Sequence, residues 1–148
     1  MTTGDLTTLS PQKLAEVLVA ARGDRPAWLD EFSEELDRRR AGRELERLLT
    51  VWGLSQSEAA RLFGVSRQAV SKWLERGVPS ERLESLADLA AATDLLVRYV
   101  KRDRVPAVVR RQFPAANDLS LLELVGEGRT RRVLEVCRAM FDFASVLG

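Results

Sequence analysis

Arg67, Gln68, Ser71 and Lys72 carry the donors and acceptors that read the edges of bases, and their spacing puts them on one side of a helix. Arginine and lysine donate to guanine O6 and N7, glutamine pairs with adenine N6 and N7, and serine serves either base. Each well-formed bidentate contact contributes roughly 1–3 kcal/mol of discrimination. Val70, Trp73 and Leu74 fall on the other side of the same turn sequence, which makes that side the buried one. Ser66 and Glu75 also point outward, although an acid is a poor neighbour for DNA. Gln56 and Ser57, together with Arg76, sit where phosphates would be met, contacts that fix register without reading sequence.

The flanking residues supply the elements that must position this face. Ser55 and Glu58 have the spacing of a reciprocal helix cap, which starts a short helix from Gln56 to about Phe63. Gly64 allows the sharp turn, and Ser66 caps the second helix. Ala59, Phe63, Val65, Val70 and Trp73 form the expected buried side, and Ala60 is small enough for the helices to cross closely. The spacing is that of a helix-turn-helix, with the second helix as the major-groove reader. A solvated helical hairpin would share the pattern. The charge favours DNA: from Arg61 to Arg76 four basic residues stand against Glu75, a net of +3.

Composition removes several other classes. Over 148 residues the net charge is +1, with 45% hydrophobic and 30% charged residues, so attraction to nucleic acid depends on where the charge sits. Histidine is absent, which excludes His-dependent triads and the commonest zinc ligand. No glycine-rich phosphate loop occurs either, so the expectation is a non-enzyme with no cofactor and no metal. Cys137 is the single cysteine and lies in an apolar-periodic segment, as a buried structural thiol would. No run approaches the roughly 18 apolar residues of a membrane span, and MTTGDLTTLS lacks the segments of a secretory signal, so a cytoplasmic protein is expected.

The remaining segments read as helices: Ser10-capped from Pro11 to Gly23, a stripe of Trp28, Leu29, Phe32 and Leu36, a break or bend near Gly42, and a supporting helix from Arg43 to Trp52. Beyond the reading unit come a helix from about Ser80 to Arg102, another from Pro106 to Arg111, and a polar loop around Pro114, Asn117 and Asp118. A Ser120-capped helix and a last helix from Arg131 to about Phe143 follow. No segment alternates as an exposed strand would, so the fold is expected to be all-α. Residues 1–40 carry six basic against eight acidic groups, net −2, and are not expected to follow DNA. Residues 98–111 carry six basic groups against Asp103, net +5; they can extend phosphate contacts, dock an acidic partner, or solubilise a helix end.

The segment VPAVVRRQFPAANDLSLLELVGEGRTRRVLEV, residues 105–136, resembles the toxin-binding region of Xre/MbcA/ParS-type antitoxins. Pro106, Phe113-Pro114, Ser120 to Leu124 and Gly128-Arg129 follow the family's order of helix, loop, capped helix and final helix, behind a helix-turn-helix. The chain departs from the pattern around the serine, with Asn117-Asp118-Leu119 before it and Leu121 after it, and residues 1–40 have no counterpart. The resemblance implies a lambda-repressor-like DNA-binding domain over residues 41–102 and a toxin-binding region over 103–148, and the helical pattern ahead of them gives an N-terminal helical extension over 1–40. It further implies an antitoxin that blocks a toxin, commonly a RES-domain enzyme, and represses their shared operon. Arg110, Arg111, Phe113, Phe143 and Val146 are the residues expected to meet that partner. A homodimer would read a palindromic operator with half-sites about 34–36 Å apart or a multiple of that. Two alternatives share the helix-turn-helix: a stand-alone regulator, and an adaptor that no longer binds DNA.

Overall fold

The computed structural model describes the backbone of residues 6–147 and the side chains of residues 6–142. The chain divides into two compact units, residues 1–36 and 37–148. In the first, Ser10 accepts from the Lys13 amide at 3.1 Å and opens α1, Pro11–Arg22, whose first position takes a proline because no partner for its nitrogen is needed there. Helix α2, Pro26–Trp52, begins in this unit and continues into the next.

The second unit is helical almost throughout. Besides the rest of α2 it holds α3, Gln56–Phe63; α4, Arg67–Arg76; α5, Leu83–Tyr99; α6, Val105–Arg110; α7, Leu121–Gly126; and α8, Thr130–Leu147. Its core draws on all of them, with Leu45, Trp52, Val70, Leu89, Leu96, Val109, Leu124 and Val133 fully enclosed. Helices α5 and α8 pack along each other in parallel. Asp88 accepts from Thr130 and Arg131 at 3.3 Å near their starts, and Tyr99 stacks on Phe141 at 4.9 Å near their ends. Cys137 is buried between them as expected, and burial pushes its thiol up to about 12, which keeps it protonated and inert.

The all-α expectation holds, with local corrections. Gly42 neither breaks nor bends the chain into separate helices; α2 runs unbroken for 27 residues. The glycine is buried, and a Cβ there would lie 2.8 Å from the Trp73 carbonyl oxygen, so its small size serves close approach of α4 rather than a break. The helix expected over Ser80–Arg102 is shorter. A 3₁₀ turn, Ser80–Arg82, follows Pro79, and Val100 is extended at φ −118 and ψ 139. A minimal antiparallel ladder joins β1, Gln112–Phe113, to β2, Leu119–Ser120. Asn117 and Asp118 adopt left-handed φ of 55 and 63, and the Asp118 amide donates to the Phe113 carbonyl at 3.0 Å, which closes that loop. Two-residue strands are too short for alternation to show.

Gly42→Ala tests the close approach. In a free helix interior this change stabilises by about 1 kcal/mol. Here the added methyl group should instead destabilise by about 1–3 kcal/mol, because the backbone oxygen of α4 cannot move independently of its helix. Urea unfolding followed by fluorescence of the enclosed Trp52 and Trp73 measures the sign.

Candidate nucleic-acid interface

The two helices of the reading unit are capped as the spacing predicts. Ser55 accepts from the Glu58 amide at 3.1 Å while the Glu58 carboxylate accepts from the Ser55 amide at 3.3 Å, which completes the capping box of α3. Gly64 is left-handed at φ 66 and ψ 36, and its amide donates to carbonyls of the last turn of α3. A side chain there would be strained by the backbone alone. Ser66 then accepts from the Ala69 amide at 3.0 Å and opens α4. Ala59, Ala60, Phe63, Val70 and Trp73 are buried, and Phe63 meets Trp73 edge to face at 6.1 Å. Val65 is half-buried against that cluster.

On the outer side of α4, Arg67, Gln68, Ser71, Lys72 and Arg76 are all exposed, as are Ser57 and Ser66, and Gln56 is half-exposed. Gln56, Arg67, Gln68 and Ser71 line one shallow concavity between the start of α3 and the outer face of α4. Gln56 thus lies beside the exposed side chains of α4. Among the described residues, no hydrogen bond or ion pair engages the side chains of Arg67, Gln68, Lys72 or Arg76, so their donors remain available to a ligand. A neighbouring hollow contains Glu46 and Glu75 beside Leu49, Thr50 and Leu74. Gln56 and Ser71 line the same hollow, so the two acids border the exposed face of α4.

The far end of α4 is fixed to α2. The Val78 amide donates to the Arg38 carbonyl at 3.0 Å, and the Arg38 Nε donates back to the Val78 carbonyl at 2.9 Å. Gly77 turns with φ 114, and a Cβ on it would come within 3.0 Å of the Arg38 backbone. Arg82 lies over the Trp73 ring at 5.3 Å and covers its outer face.

A second clamp holds the start of α3, and it was hidden from sequence reasoning. The Arg110 guanidinium on α6 donates to the carbonyls of Trp52 at 3.1 Å, Gly53 at 3.2 Å and Pro106 at 2.8 Å, and to the Glu58 carboxylate at 3.3 Å. Arg110, expected to meet a partner, is thus placed inside its own chain's network. Arg111 is exposed and Phe113 is half-buried in the short ladder; Phe143 and Val146 have side chains outside the described residues. Arg111 also lines a groove with Lys101, Arg104, Tyr99, Val100 and Val108, where part of the basic run gathers around an apolar floor. No sequence signal joins Arg110 to Glu58, because 52 residues separate them.

Comparison with known proteins places these features. A family model described as a homeodomain-like domain matches residues 33–77, which cover the supporting part of α2, α3 and α4. The chain therefore carries a homeodomain-like helix-turn-helix. Its fold is similar to that of a chain in the crystal structure of the M.tuberculosis MbcT-MbcA toxin-antitoxin complex, with a TM-score of 0.55 at 24% identity. The likeness covers 67% of this chain and 91% of that one, and it bears out, as fold, the resemblance drawn from residues 105–136. Comparison with curated proteins gives no match. No helix among the described residues is long and apolar enough to cross a membrane.

Glu58 links the site to pH. The Ser55 amide, followed by the Ser55 hydroxyl and the Arg110 charge, holds its carboxyl below the usual 4.5. A lowered folded-state value means the stabilisation is present above the unfolded value and is lost as pH falls through the folded one. Urea midpoints should therefore decline below about pH 4.5, and Glu58→Gln should flatten that part of the decline. Arg110→Met should cost about 1–2 kcal/mol at neutral pH, since three carbonyls lose a charged donor at a part-exposed site.

Proposed function

We propose that this protein is a sequence-specific DNA-binding antitoxin, which represses its own operon and neutralises a toxin by direct binding. The DNA-binding half is carried by one observation: Arg67, Gln68, Ser71 and Lys72 stand exposed and unengaged, among the described residues, on a helix whose far end is bonded to α2. Arg67 and Lys72 read guanine, Gln68 reads adenine, and Ser71 adjusts to either; Gln56, Ser57, Ser66 and Arg76 hold phosphates on the flanks. Two copies engage one face of the duplex, so the operator is palindromic, with half-sites about one helical turn apart.

The toxin-binding half is supported by the fold likeness to a chain of a toxin-antitoxin complex and by the groove of basic and apolar groups along α6, from Tyr99 to Arg111. Arg111, Phe113, Phe143 and Val146 meet the toxin, an enzyme of the RES-domain type, and cover its active-site mouth. Arg110 contributes by holding α6 in place. Both halves act in the cytoplasm, on a protein without catalytic activity of its own.

Gel-shift titrations against DNA from upstream of the gene test the first half. Arg67→Ala and Gln68→Ala should each cost roughly 1–3 kcal/mol on the specific site and relax preference there. Arg76→Ala should weaken specific and random DNA alike and reduce the salt slope by about 1. Equal losses on both DNAs for all three variants would contradict the assignment of readers. For the second half, co-expression with the product of the adjacent gene should give a stable complex and restore growth; a harmless neighbour that forms no complex leaves a stand-alone DNA-binding regulator.

A further inference from the structure

A cavity of about 330 Å³ opens where three connections converge: the Gly64 turn between α3 and α4, the 3₁₀ turn that leads into α5, and the stretch from Gly126 to Gly128 between α7 and α8. None of the residues assigned to the DNA-reading face or to the toxin surface lines it. Leu62, Phe63 and Val125 form its apolar wall, and Arg61, Arg82 and Ser85 its polar one. The mouth is unobstructed, since a Cβ at Gly64 or at Gly128 would meet nothing within 4 Å.

The two arginines arrive from separate elements. Arg61 is exposed in the last turn of α3, and Arg82 is half-buried in the 3₁₀ turn with its guanidinium 5.3 Å from the centre of the Trp73 ring. Among the described residues neither forms an ion pair, and the Ser85 hydroxyl has no hydrogen-bond partner. Glu127, the one acid in the lining, is paired with Arg129 at 3.5 Å, so these four groups leave a net of +2. Two guanidiniums that share a cavity repel each other, and an anion between them turns that repulsion into attraction.

The volume lies at the small end of the range for ligand sites, which typically join an apolar wall to a few convergent polar groups. Guanidinium forks match the paired oxygens of a carboxylate or phosphate. We infer that this cavity binds a small organic anion, a carboxylate or phosphate monoester carried on an apolar or aromatic body. The anionic group sits on Arg61 and Arg82, and the body lies against Leu62, Phe63 and Val125. Such a ligand touches the helix-turn-helix and the α7–α8 connection at once, and its binding energy stabilises the arrangement that brings them together. The inference goes beyond the proposed function and does not rest on it, because the site is separate from both proposed surfaces.

Tryptophan emission of the purified full chain tests it, because an anion drawn to Arg82 changes the field at the Trp73 ring. A Trp28→Phe background leaves the enclosed Trp52 and Trp73 as the emitters. Titration with phenyl phosphate should give a saturable change, with an affinity about tenfold or more above that of inorganic phosphate, since the ring is buried as well. Arg61→Ala should weaken phenyl phosphate binding by about tenfold or more. Its urea midpoint should be unchanged, because the side chain is exposed. Arg104→Ala, which removes a cation elsewhere, should titrate as the parent does. No saturable change at millimolar phenyl phosphate would overturn the proposal. Equal affinities for phenyl and inorganic phosphate would do so too, as would equal losses in the Arg61→Ala and Arg104→Ala chains, since both results mean that surface cations are merely screened.

Discussion

The close seam between α2 and the C-terminal end of α4 is the constraint on which the exposed face of α4, the proposed DNA-reading surface, depends. Two glycines, Gly42 and Gly77, let backbone meet backbone there, and the paired bonds between Arg38 and Val78 fix the register of the contact. A helix of ten residues is marginal by itself in water. It becomes a rigid platform because Val70 and Trp73 enter the core and its last turn cannot slide along α2. Rigidity matters to function, since side chains that read base edges must arrive with their donors already aimed.

Polar bonds of long sequence separation bind the C-terminal elements to the same platform. Trp52 donates through Nε1 to Thr93 at 3.1 Å, and the Thr93 hydroxyl donates to the Leu89 carbonyl at 2.7 Å, so α2 is tied to α5 inside the core. Arg110 binds the carbonyl of the same Trp52 from α6 and reaches the cap of α3. Helix α7 packs on α3, with Leu62 near Gly126. The surface after α6 and the helix-turn-helix therefore share one core.

Much of the reading unit was legible because its signals are local. The Ser55–Glu58 box, Gly64, the Ser66 cap and the faces of α4 are each set by residues within four positions of one another. Gly42 was read as a break because glycine has the same local signature whether it ends a helix or admits a neighbour; only the Trp73 carbonyl, 31 residues on, distinguishes the two. The end of α5 at Tyr99 and the ladder around Asn117 were missed for a related reason. An extended residue at Val100 and two left-handed residues at Asn117 and Asp118 are choices made by tertiary packing, not by a run of pattern. The role of Arg110 in its own chain lay beyond any spacing rule, because its acceptors on Trp52, Gly53 and Glu58 are more than fifty residues away in sequence.

The most direct test of the central claim uses a duplex from upstream of the gene in which guanines are replaced one at a time by 7-deazaguanine, which lacks the N7 acceptor. If α4 lies in the major groove, wild-type affinity should fall at specific guanines, and the Arg67→Ala chain should be indifferent at one of them. Affinity that is the same on modified and unmodified DNA at every guanine would contradict the account.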